Sequence, residues 1–90
     1  MQIVRDKHEL DELTRLVQKY LQPYQPDPAD YRLEVVPEAI GQDEEWIYVV
    51  VEPSREGVRS NDYSSRLVEA ELDLQDKEHR KILLVPALPE

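Results

Sequence analysis

Trp46-Ile47-Tyr48-Val49-Val50-Val51-Glu52-Pro53 is the longest run of β-branched and aromatic residues in the chain, and Pro53 closes it. Such a run favours a pleated, buried strand, and a proline ends regular pairing. Side chains alternate across a strand. Ile47, Val49 and Val51 therefore face one side, while Trp46, Tyr48 and Val50 face the other. A strand apolar on both faces suits the middle of a sheet.

The flanking sequence supplies its neighbours. Upstream, Tyr31, Leu33 and Val35 alternate with Arg32 and Glu34 over residues 31–36, which predicts a half-buried strand ended by Pro37. Residues 38–45 form a polar turn containing Gly41, long for a hairpin but consistent with one. Downstream, Ile82-Leu83-Leu84-Val85 predicts a short third strand closed by Pro86 and Pro89.

Two helices complete the pattern. Leu10, Leu13, Leu16, Val17, Tyr20 and Leu21 recur at helical spacing within an arc of about 140°. With Asp6 and Glu9 placed as a capping box and Pro23 as a stop, they predict a one-faced helix over 7–21. Residues 22–30 hold three prolines and read as a stiff connector, with Tyr24 pinning it to the core edge. The second helix spans about 63–78, capped by Asn61 or Asp62. Tyr63, Leu67, Ala70 and Leu74 form its stripe. Val68 and Leu72 lie outside the stripe, which predicts contact with the sheet and with either the first helix or a second copy of the chain. Glu69, Asp73 and Asp76 mark the polar side. Lys77, His79, Arg80 and Lys81 gather where positive charge complements the helix dipole.

The order α-β-β-α-β gives a single α+β domain over residues 1–90, a two-layer sandwich. Strand, helix and strand at its end form a right-handed crossover. The expected sheet is three-stranded and mixed, in order 1-2-3 with 2-1-3 as the alternative, and both helices cover the Ile47/Val49/Val51 face.

Eleven basic and twenty acidic residues give a net charge of −9. That field repels phosphate backbones and anionic lipid, so neither nucleic acid nor a membrane surface is an expected partner. It suits basic partners, or solubility alone. The chain has no cysteine, so thiolate chemistry and disulfides are excluded. The start MQIVRDKHELDEL lacks the apolar stretch of a signal peptide, and Lys7-His8-Glu9-Leu10 matches an ER-retention signal only in letters. No apolar run reaches the ~18–20 residues of a membrane span. The expected setting is cytoplasmic.

Motifs for chemistry are lacking. His8 and His79 are the two histidines, too few for a zinc site, and HELDE lacks the second histidine of a zincin helix. The aspartates do not follow calcium-loop spacing. Ser54, Ser60, Ser64 and Ser65 carry no G-x-S-x-G signature. A small metal-dependent nuclease core shares the order of elements but needs an acid-x-lysine on a strand, and no lysine lies between Lys19 and Lys77. Two glycines cannot form a glycine-rich phosphate loop. No cofactor, metal or catalytic residue is expected.

Two surfaces remain. One is the sheet face bearing Trp46 and Tyr48, composed like an interaction surface if the helices leave it open, together with a free strand edge able to accept a partner strand. The alternative is that the tail Ala87-Leu88-Pro89 folds across it. The other surface is the stretch 53–66, where three arginines against two acids give +1 in a chain that is −10 elsewhere. Arg55, Arg59, Ser60 and Asn61 follow a strand and precede a helix, where anions are bound in open α/β units. The leading expectation is thus a non-enzymatic protein-interaction module or accessory subunit, with self-association as one form. The alternative is a small anion- or ligand-binding domain using the loop. Mimicry of DNA by rows of acids is a third possibility.

Overall fold

The computed structural model describes residues 2–3 and 6–87. Its elements in chain order are β1 (Gln2–Ile3), α1 (Lys7–Leu21), β2 (Leu33–Val35), β3 (Gly41–Gln42), β4 (Ile47–Pro53), α2 (Ser60–Glu78) and β5 (Ile82–Pro86). Single 3₁₀ turns lie at Gln22–Tyr24 and Pro37–Ala39. The predicted α-β-β-α-β order stands, with two two-residue strands added.

β4 is the middle strand. On one side it pairs in parallel with β5, from Ile47 opposite Ile82 to Val51 opposite Pro86. Its other side is shared by two antiparallel neighbours. β2 covers the C-terminal half, with Leu33, Glu34 and Val35 opposite Pro53, Glu52 and Val51. β3 covers the start, with Gly41 opposite Tyr48 and Gln42 opposite Ile47. β1 adds outside β3. The predicted hairpin arm is therefore one strand broken by the 3₁₀ turn at Pro37, and the tight turn lies at residues 43–46. Ile40, inside what reads as a polar turn, is fully buried between the two pieces.

The helices close over the expected face. Leu13, Val17 and Leu21 of α1 and Tyr63, Leu67, Ala70 and Leu74 of α2 join Leu33, Val35, Val49, Val51, Ile82 and Leu84 in one core. Each fully buried large apolar side chain contributes about 1.5–3 kcal/mol relative to exposure. α1 begins where Asp6 accepts the His8 N–H at 3.0 Å. α2 begins at Ser60, three residues earlier than predicted. Arg59 is its N-cap, and Asp62 in the first turn accepts the Arg59 N–H at 3.1 Å. It ends on His79, whose φ of 54° is left-handed. Histidine is among the few non-glycine residues found there with some frequency.

Polar contacts at the rim of this core tie α1 and the connector to α2. The Tyr20 hydroxyl donates to Glu78 at 2.6 Å, the Tyr24 hydroxyl donates to Asp73 at 2.5 Å, and Arg66 donates to the Tyr24 carbonyl at 2.9 Å. Asp73 is thus a buttress for the connector rather than a solvated charge. Val68 and Leu72, expected to meet a second surface, remain 51% and 55% exposed.

Both long edges of the sheet are occupied. In β2 the ladder bonds to β4 are made by even-numbered residues, as the Val36 N–H to the Val50 carbonyl (2.9 Å) and the Ser54 N–H to the Arg32 carbonyl (2.8 Å) show. The outward groups are those of Leu33 and Val35. The Gln25 side-chain amide satisfies both groups of Leu33, accepting its N–H at 2.8 Å and donating to its carbonyl at 2.9 Å. Gln18 accepts the Val35 N–H at 2.8 Å. In β5 the Lys81 carbonyl and the Ala87 N–H bond to β4, so the even-numbered residues face out. Glu71 accepts the Leu84 N–H at 2.8 Å and Gln75 donates to the Ile82 carbonyl at 3.0 Å. Pro86 has no N–H to offer. The outward N–H groups of β2 and β5, and the Leu33 and Ile82 carbonyls, are thus already taken within the protein, which leaves no full row of donors for a partner strand.

Candidate functional site

The helices lie on one face of the sheet, and the other face carries the first candidate site. Alternation along β4 puts Tyr48, Val50 and Glu52 there. In register beside them stand Leu83 and Val85 of β5 and Glu34 of β2. Tyr48, Val50, Leu83 and Val85 are all half-buried, as are Val36 and Ala87 at its border. Leu88 and Pro89, the tail residues expected to fold across this face, lie outside the described residues.

Carboxylates stand at both ends of the apolar strip. At the turn end, Asp43 organises the backbone: its Oδ1 accepts the N–H groups of Trp46 (2.8 Å) and Glu45 (2.9 Å), and its Oδ2 accepts the Tyr48 hydroxyl at 2.7 Å. These donors, the Trp46 N–H foremost, hold the Asp43 carboxyl below the usual carboxylate range. The same contact raises the Tyr48 hydroxyl above its ordinary value. Asp43, Glu44, Glu45 and Trp46 enclose a shallow acidic hollow. Lys81 reaches Glu45 at 3.8 Å.

At the other end, the loop after β4 rises beside the face and closes a depression of about 480 Å³. Val36, Val50, Pro53 and Ala87 give it apolar walls, and Glu34, Glu52, Arg55 and Glu56 give it charge. Glu34 and Glu52 are direct cross-strand partners, so their Cβ atoms are roughly 5 Å apart. Both are exposed, and neither has an ion pair among the described residues. Like charges opposite each other disfavour the pairing they sit on.

The residues singled out from sequence fall in three places. Trp46 and Tyr48 flank Asp43 at the turn end. Arg55 borders the depression at the far end. Arg59, Ser60 and Asn61 form the cap and first turn of α2 and do not line it. The arginine loop therefore does not gather into one concave site. The carboxylate of Asp62 already occupies the start of α2, and the Glu34–Glu52 pair shares the depression with Arg55. Both arrangements work against an anion there. Glu34, Glu52 and Asp43 were missed by sequence reasoning. Alternation places Glu34 and Glu52 on the outer face, but only the strand register sets them opposite each other.

A second hollow of about 480 Å³ lies between α1 and the end of α2, lined by His8, Asp11, Glu12, Arg15, Lys19 and Arg80 among others. Its charges are mixed, and Arg80 is paired with Glu12 at 3.5 Å. His79 is a helix terminator. Among the described residues no three histidine or carboxylate side chains are placed to hold a metal ion, and no helix is long and apolar enough to cross a membrane.

No family model matches the sequence, and no match is found among curated proteins or solved structures.

Proposed function

We propose that this chain is a protein-interaction module, not an enzyme, whose outer sheet face docks a basic segment of a partner protein. The observation that carries the reading is the in-register pair Glu34–Glu52, which has no ion pair among the described residues and is set beside an apolar strip that the helices leave uncovered. A lysine or arginine of a partner would remove the repulsion between the two carboxylates. Its aliphatic stem would lie along Val36 and Val50. Asp43, Glu44 and Glu45 offer a second acidic anchor at the opposite end, and the net charge of −9 speeds the approach of a cationic partner.

Trp46 is the chain's one tryptophan and borders the face, so its fluorescence is a built-in reporter. Titration with a cationic amphipathic peptide is expected to change its emission, the change weakening as salt rises. A peptide of the same hydropathy with acids in place of the basic residues is expected to leave it unaltered. Equal responses to both peptides, or a response independent of salt, would contradict the proposal.

A further inference from the structure

We infer that the segment docking on this face is an α-helix lying along β4, with basic residues near both of its ends, and not an added β-strand. The inference rests on the reading of the outer face as a docking surface and concerns the form of its occupant.

A peptide can add to a sheet only where a row of backbone groups is free. Gln25 and Gln18 take the outward groups of Leu33 and the Val35 N–H, Glu71 and Gln75 take the Leu84 N–H and the Ile82 carbonyl, and Pro86 lacks a donor. An extended segment laid flat on the Tyr48/Val50 face meets the opposite problem. It buries its own N–H and C=O groups against side chains that cannot bond them. A helix satisfies its backbone internally and presents only side chains. Covering the second face of the sheet with one yields the familiar three-layer arrangement.

The dimensions agree. β4 has seven residues, roughly 23 Å of strand, which a helix of about 15 residues spans. With strands ~4.8 Å apart, β2 and β5 are roughly 10 Å from each other across β4, about the width of one helix. The acids stand at the two ends of this track, Glu34 and Glu52 at one and Asp43 to Glu45 at the other. The complementary helix therefore carries an apolar stripe at i, i+3, i+4 and i+7 in its middle and lysine or arginine in its first and last turns.

The test uses the full chain, isotopically labelled, and three synthetic peptides. The first is a 15-residue helix former with a leucine stripe and lysines at both ends. The second is identical except for a central proline in place of one alanine. The third is an extended alternating lysine–valine peptide. The inference expects the first to shift the amides of Tyr48, Val50 and Val85 and to become helical when bound, with the second binding at least tenfold more weakly. If the extended peptide binds as tightly as the first and moves the amides of Leu33, Val35 or Leu84, strand addition is the mode. The helix inference then fails while the docking reading survives in altered form. If none of the three peptides moves the outer-face amides, the docking reading itself fails and this inference with it. Dimerisation through the same amides, seen as shifts on dilution without peptide, would identify a second copy as the occupant and overturn the inference of a partner helix.

Discussion

Glu34 of β2 and Glu52 of β4 face each other across one rung of the sheet. Both are solvent-exposed and share a depression with the apolar Val36, Val50, Pro53 and Ala87 and with the charged Arg55 and Glu56. A strand pair selected for stability alone would carry opposite charges at such a rung. Replacing one glutamate, as in Glu52→Lys, converts repulsion to attraction and is expected to raise stability by about 0.5 kcal/mol in urea denaturation. The same variant is expected to lose its affinity for cationic peptides. A gain in stability coupled to loss of binding is the signature of a functional constraint; a loss of stability would show that the pair is not strained.

Gln25 acts as a short surrogate strand for Leu33, accepting from its N–H and donating to its carbonyl. Gln25→Ala removes two hydrogen bonds and exposes the β2 edge. A cost of about 1–2 kcal/mol is expected. The exposed edge should also bring concentration-dependent association, measurable by light scattering. A variant that stays monomeric at all concentrations would show that Gln25 is not what guards this edge.

His79 ends α2 in the left-handed region, where a Cβ is unfavourable. His79→Gly is expected to stabilise the protein by about 1 kcal/mol, read from the midpoint of thermal or chemical unfolding. Destabilisation would mean that the imidazole contributes more than its backbone conformation costs.

Alkaline stability should depend on the two tyrosines that tie α1 and the connector to α2. Hydrogen bonds to Glu78 and Asp73 raise the Tyr20 and Tyr24 hydroxyls above the ordinary value of 10.0. The stability they supply is complete below that unfolded-state value and is lost as pH rises through the higher folded-state values. Urea midpoints measured through this range are expected to fall in the natural protein. The pH dependence should flatten in Tyr24→Phe, and an unchanged profile would argue against the Tyr24–Asp73 contact.

Asp43 gives the opposite sign. Its folded-state value lies below the ordinary 3.8, held there first by the Trp46 N–H and then by the Tyr48 hydroxyl and the Glu45 N–H. Its contribution is present above the unfolded-state value and is lost as pH falls through the lower folded one. Asp43→Asn is expected to reduce that acid dependence and to alter Trp46 fluorescence. An acid profile identical to that of the natural protein would remove Asp43 from its place as the turn's anchor.

Much of this architecture is legible in the residues. The alternation of Ile47, Val49 and Val51 identified the face that the helices cover, and the stripe from Leu10 to Leu21 marked α1 at its observed bounds. Pairing of the short segments is a different kind of information. Gly41 and Gln42 form a strand because β4 offers them an edge, not because of their own propensity, and Ile40 is buried by that pairing. The sealing of the sheet edges by Gln18, Gln25, Glu71 and Gln75 depends on three-dimensional reach, since glutamine and glutamate on helices and connectors read as ordinary surface residues. The candidate site was half visible. Trp46 and Tyr48 stood out by composition, whereas the opposition of Glu34 and Glu52 required the register. The arginines at 55 and 59 drew attention through local charge, but folding places one beside two carboxylates and the other at a helix cap.

The most direct test of the proposed docking face is an amide chemical-shift map of the labelled protein titrated with a lysine-flanked amphipathic helical peptide at low and high salt. The expected result is a contiguous set of shifts over Val36, Tyr48, Val50 and Val85 that shrinks as salt rises, with α2 undisturbed. Shifts confined to the exposed Val68 and Leu72 of α2, or to the hollow between α1 and the end of α2, would contradict it.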